Sequence, residues 1–185
     1  MLHVVVDGAN VVGSRPDGWW RDRAGAAARL AGSLDAVLCA DPGGLAAAVG
    51  GARVGEGDIA DGDAVSRAGG GRIILADPVV VDGVTDEAEA GAPSAEVAGP
   101  VSVTLVLEGA ARSAVTNPAS AALEIVRADR DGDSAIAART LALAGAGEDV
   151  VVVTADRELC ARVRAAGGRT TGPSALRRVL DHPDR

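Results

Sequence analysis

The sequence predicts an α/β fold in which helices cover a buried, mostly parallel β-sheet, and three observations carry that expectation. First, the runs LHVVVD, VSVTLVL and VVVVT are strand-like and dominated by apolar residues, the pattern of strands buried on both faces. Second, from residue 101 onward strand-like runs alternate with helix-like ones, which implies parallel pairing through right-handed crossovers. Third, hydrophobic residues make up 48% of the chain but aromatics only 1%, with no Phe or Tyr. The core must therefore be built from Val, Leu, Ile and Ala, which suits helices laid closely on a sheet.

Taken in order, LHVVVD is a short strand ended by Asp7, followed by a turn at Gly8-Ala9-Asn10. A long helix is predicted from Trp19 to near Cys39, where Ala, Leu and Val recur at helical spacing. Residues 41–100 differ in character: rich in Gly, Ala and Asp, they read as a low-complexity acidic insertion within a single domain spanning 1–185. Inside it, RIILADPVVVDG suggests an extended or hairpin-like pair around Pro78, and DEAEAGAPSAEVAGP a flexible acidic loop. The rhythm then resumes with strands at 101–107 and 123–127, a helix at 133–145 and a strand at 149–154. A helix at 156–166, a short strand near 168–171 and a short helix in SALRRVL complete the chain.

Net charge is −8, which by itself argues against nucleic acid as a partner. The distribution reverses that reading. Residues 41–100 hold 11 acids and three Arg, whereas the remaining 125 residues hold 15 of each. Outside the insertion, and with four candidate site carboxylates set aside, the chain is mildly basic, so a phosphate-binding surface is permitted. The absence of Lys, with Ala, Gly and Val abundant, reflects coding bias in a GC-rich genome. Cys39 and Cys160 show no metal-type spacing and read as two buried thiols in a reducing compartment. With no signal-like N-terminus and no long apolar run, a cytoplasmic protein with no membrane partner is expected, and a homodimer is left open.

The chemistry lies where apolar runs meet acids. Asp7 ends the first strand, Glu108 follows LVL, and Asp156 follows VVVVTA; Asp133 opens a helix-like stretch in GDSAIA. In a parallel α/β sheet the carboxyl ends of the strands share one edge, and ligands bind there. Four carboxylates from distant segments meeting at that edge need a counter-ion, and a hard divalent metal is the plausible one. Asn10, three residues after Asp7, is placed to orient the acid or a phosphate, as is Thr154.

Plainer readings compete. Asp-Gly-Asn is an ordinary turn sequence, and Asp133 and Asp156 also suit helix N-caps. The alternating Asp129, Asp131 and Asp133 imitate an EF-hand, but the glycine comes early and Thr140 stands where a bidentate acid belongs. VVVDG recurs at 79–83, which makes Asp82 a rival to Asp7, though without the trailing Ala-Asn. Trp19 and Trp20 cannot both face a core; one is a packing anchor, with base stacking as the alternative role. Arg15, Arg21 and Arg23 offer phosphate contacts or simply a solvated face. His3 and His182 lie at the ends, which leaves a His-based mechanism little to work with.

The motifs VVVDGANVVG, TLVLEGAAR, GDSAIA and VVTADRELCARVRAAGGRTTGPSAL together resemble the NYN branch of the PIN-like nucleases, the bacterial members with an opening DGxN. The resemblance covers roughly residues 1–40 and 101–178. It implies a PIN-like (Rossmann-like) three-layer sandwich and a ribonuclease dependent on Mg²⁺ or Mn²⁺, with RNA as partner. It places metal ligands at Asp7, Asp133 and Asp156, with Glu108 joining them as a catalytic acid where relatives commonly have Asp. It also places Ser134 where members often carry a second adjacent acid; Ser134 joins Asn10, Thr154 and Arg15 as an expected substrate contact. Two alternatives stand beside this reading: a catalytically weakened RNA- or protein-binding domain, and a hydrolase acting on small phosphate esters. A haloacid-dehalogenase pattern is excluded, because Ala9 stands where its second acid belongs.

Overall fold

The first apolar run, Leu2–Asp7, forms β1 at the centre of a five-stranded sheet. The computed structural model describes residues 1–51 and 101–182. The suggested pair around Pro78, the acidic loop and Asp82 lie outside the described residues. β2 (Val101–Leu107), β3 (Leu123–Arg127), β4 (Asp149–Val153) and β5 (Arg169–Thr171) complete the sheet in the order β3-β2-β1-β4-β5, and every pairing is parallel.

The helices are α1 (Gly8–Gly13), α2 (Arg23–Ala40), α3 (Pro42–Gly50), α4 (Gly132–Gly145), α5 (Arg157–Ala165) and α6 (Pro173–Asp181). Side chains alternate across a strand, and β1 uses both faces. Val4 and Val6 pack with Leu34 of α2, Leu45 of α3 and Leu176 of α6. Val5 faces the other way, onto Ile136 of α4 and Leu159 and Val163 of α5. The result is a three-layer α/β sandwich, as the sequence predicts. No helix among the described residues is long and apolar enough to cross a membrane.

Three local expectations are corrected. The supposed turn after Asp7 is the helix α1, which begins without a gap. The long helix starts at Arg23, capped by Asp22, because Trp19–Arg21 forms a separate 3₁₀ turn. Residues 42–50, expected to open the insertion, form α3 and bury Leu45, Ala46 and Val49 in the core. Asp41 accepts the Gly44 N–H at 2.8 Å and Pro42 occupies the first helical turn. In that setting Asp-Pro is a helix start rather than a breaker. The thiol expectation also fails: Cys39 is exposed and Cys160 half-buried, and neither is bonded.

Gly50 carries the chain out at the amino edge of the sheet. Its carbonyl accepts from Arg169 Nη1 at 2.9 Å, at the first residue of β5. The chain returns at Val101, which pairs with Leu2 at the same edge.

The β2-to-β3 connection carries only the 3₁₀ helix Gly109–Ser113, and Asp35 of α2 fastens the stretch that follows it. Its two carboxylate oxygens accept the Ala119 and Ser120 N–H groups at 3.0 and 2.8 Å. Those hydrogen bonds hold the Asp35 carboxyl below its ordinary range. A depressed carboxyl stabilises the fold above its unfolded-state pKa of about 3.9 and loses that contribution as pH falls through the folded value. Asp35→Ala is therefore expected to lower the thermal midpoint at pH 7, with the gap from wild type narrowing in acid; equal midpoints at neutral pH would refute the role.

Candidate active site

The sheet order reverses at β1, whose neighbours β2 and β4 leave in opposite directions, and the crevice at the carboxyl ends there is where α/β sheets bind ligands. Asp7 stands at this point. It caps α1, its Oδ1 accepting the Asn10 N–H at 3.0 Å, while Oδ2 accepts the Thr154 hydroxyl at 2.9 Å. Thr154 directly follows β4, and its Oγ1 accepts the Asp156 N–H at 3.1 Å. The Asn10 side chain completes the link, its Oδ1 accepting the Ala155 N–H at 3.0 Å. The turns 7–10 and 154–156 are thus joined by a closed set of hydrogen bonds.

The other acids arrive separately. Asp156 caps α5 by accepting the Leu159 N–H at 2.8 Å and remains exposed. Glu108, just past β2, accepts the Gly132 N–H at 2.7 Å, which ties the end of β2 to the start of α4. Gly132 suits this contact because a Cβ there would lie 2.9 Å from Glu108 Oε2. The cap of α4 is Asp131, which accepts the Ser134 N–H at 2.7 Å, and not Asp133 as expected. Relieved of capping, Asp133 lines the cleft from the first turn of α4.

Asp7, Glu108, Asp133 and Asp156 line one open cleft of about 830 Å³, with Asn10 beside them and Gly172–Ser174, where α6 begins, on the far wall. Their charges act on one another. Burial pushes the Asp7 carboxyl above its ordinary range, opposed by the Asn10 and Thr154 hydrogen bonds and assisted by the charges of Glu108 and Asp156. The Asp133 carboxyl is also raised, first by burial and then by Asp7, Asp156, Asp131 and Glu108.

An all-oxygen, anionic donor set suits a hard divalent cation in kind. Among the described residues, however, no three His, Cys, Asp or Glu side chains are gathered tightly enough to hold a metal ion. The acids form a loose ring rather than a finished coordination sphere.

Three residues expected to touch substrate are engaged elsewhere. Thr154 is only 2% exposed, and its hydroxyl donates to Asp7 Oδ2 and accepts the Asp156 N–H. Ser134 is exposed but does not line the cleft, and its hydroxyl accepts from Arg162 Nη2 at 3.1 Å. The Arg15 guanidinium pairs with Asp181 at the end of α6. Sequence reasoning missed the start of α6 as a wall of the cleft; Gly172-Pro173, an N-cap followed by a Pro in the first turn, was the available signal.

No protein-family model matches the chain, and no curated protein does. Among solved structures, the fold is similar to that of Rae1 (YacP) from Bacillus subtilis, crystallised as a tryptophan-to-leucine mutant, with a TM-score of 0.50. The two share 12% identity over 98% of this chain and 76% of that one, which makes the likeness one of fold alone.

Proposed function

We propose that this protein is a divalent-metal-dependent ribonuclease that hydrolyses RNA phosphodiester bonds in the carboxylate cleft. The observation that carries this reading is the meeting of acids from four separate segments, Asp7, Glu108, Asp133 and Asp156, in one cleft at the reversal of strand order. The motif resemblance to NYN nucleases supplies RNA as the polymer.

Asp7, Asp133 and Asp156 would hold Mg²⁺ or Mn²⁺. A bound divalent ion supplies Lewis-acid polarisation of a phosphate oxygen and an acidified water. Glu108 uses Oε2 for the Gly132 N–H, which leaves Oε1 to take the proton of the attacking water. Asn10 and Thr154 keep Asp7 and the 154–156 turn in register. Gly172 and Ser174, at the amino-terminal start of α6, line the cleft, and the amino end of a helix favours phosphate.

The test is cleavage of a varied RNA panel by purified protein with and without Mn²⁺, alongside calorimetric Mn²⁺ titration. Mn²⁺-dependent products, suppressed by a chelator, are expected. The open ring of acids and Ser134 favour one second reading, a catalytically weakened RNA- or protein-binding domain. A domain of that kind takes up no Mn²⁺ tightly and cleaves nothing on the panel.

Thr154 gives a sharper test of the positioning roles. Thr154→Val keeps the shape but removes the hydroxyl that serves both acids, and loss of such supporting contacts costs about 10–100-fold in metal affinity or activity. Thr154→Ser is expected to retain most of the rate. Equal rates for the Val variant and wild type would remove Thr154 from the site's support.

A further inference from the structure

Beside the acidic cleft lies a second cavity of about 240 Å³, and its walls are of a different kind. Trp19 and Arg23 line it together with Gly8, Val12 and Gly109–Ala111. Ala9 and Glu108 line both spaces, so the two adjoin. The six-membered ring of Trp19 also approaches Gly13, on the wall of the cleft: a Cβ at Gly13 would lie 3.6 Å from Trp19 Cζ2. The Arg23 guanidinium lies 5.5 Å from the centre of the Trp19 ring and pairs with no carboxylate among the described residues.

We propose that this cavity is a nucleobase subsite, in which a base next to the scissile phosphate stacks on Trp19. The assignment rests on the ribonuclease reading for its location and on three observations for its chemistry. An aromatic ring offers a flat surface to any base. A guanidinium adds a second planar, cationic partner for a base or its phosphate. Glu108, shared by both linings, sets a carboxylate beside the cavity, which disfavours a bare phosphate there. Trp20 contributes less: it is 52% exposed, is edge-on to Trp19 with ring centres 6.2 Å apart, and is absent from the cavity wall.

The chain has two Trp residues, so Trp20→Phe leaves Trp19 as the only indole. Emission from this variant is titrated in EDTA with a six-residue oligoadenylate and with a six-residue ribose-phosphate backbone lacking bases. The oligoadenylate is expected to quench the emission and the abasic chain to leave it unchanged. Trp19→Leu is expected to weaken oligoadenylate binding about tenfold or more, the scale of one lost stacking contact, and Trp19→Phe to restore most of it. Equal quenching by both oligomers, or none by either, overturns the subsite even if Trp19→Leu fails to fold. Because EDTA removes metal and cleavage, quenching without Mn²⁺-dependent cleavage sinks the nuclease reading and leaves the base contact standing. Cleavage with no quenching does the reverse.

Discussion

With Asn in place of Asp7, Mn²⁺-dependent RNA cleavage is expected to fall by roughly 10²–10³-fold, while the metal-free protein becomes more stable. The loss of rate corresponds to the several kcal/mol that metal polarisation supplies. The gain in stability follows from the electrostatics. Burial, helped by the charges of Glu108 and Asp156, raises the Asp7 carboxyl despite its two hydrogen bonds. A raised carboxyl binds its proton more tightly in the folded chain, so wild-type stability declines as pH rises from the ordinary carboxyl range through the folded value. Asn carries no charge at any pH. Its Oδ1 still accepts the Asn10 N–H, and its amide can donate to Thr154 Oγ1. The difference in thermal midpoint, measured in EDTA, is therefore expected to be small in strong acid and to grow in favour of Asp7→Asn towards neutrality. A variant that melts below wild type at pH 7, or that cleaves RNA normally, would show that Asp7 is a structural cap and nothing more.

Gly8→Ala is the second large effect, expected to cost about 1–3 kcal/mol, the usual penalty for overfilling a packed interior. A Cβ at Gly8 would stand 2.6 Å from the Val106 carbonyl oxygen, 3.0 Å from Leu107 Cδ2 and 3.3 Å from Leu105 Cδ1. The closest of these is backbone in β2 and cannot rotate aside. Space is what Gly8 provides; its backbone is not left-handed, unlike Gly18 or Gly109. Relief would require α1 to move off β2, carrying Asn10 away from Asp7 and Ala155. Urea unfolding should show the lost stability, and cleavage should fall with it. Unfolding at the wild-type midpoint would mean that α1 sits less tightly than described.

Much of this architecture was legible because buried strands leave a strong mark. β2 and β3 fall on the residues expected, β1 ends at Asp7 as expected, and β4 ends at Val153, one residue short of the expected 154. The strand ends then brought Asp7, Glu108 and Asp156 to one edge by topology alone. What escaped reading depended on distances of one turn or on partners far away. The alternation in Asp129, Asp131 and Asp133 does not say which acid caps α4; only the helix start at Gly132 assigns that to Asp131 and leaves Asp133 for the cleft. Pro42-Gly43-Gly44 looks like the end of order when read for composition, yet it opens α3 because Asp41 is positioned to cap it. Arg15 seemed near the site in sequence, but Asp181, brought back by α6, captures its guanidinium. Thr154 reads as an orienting residue, but nothing local reveals that β1 lies against it and that Asp7 takes its hydroxyl.

The exit at Gly50 and the return at Val101 carry a consequence of their own. Both junctions lie at the pole of the sheet opposite the acids, fixed there by Arg169 and Leu2. A change in the length of the intervening 52–100 stretch would therefore enter far from the carboxylates, at the other end of the sheet. Tolerance of length and precision of chemistry sit at different ends of the same strands.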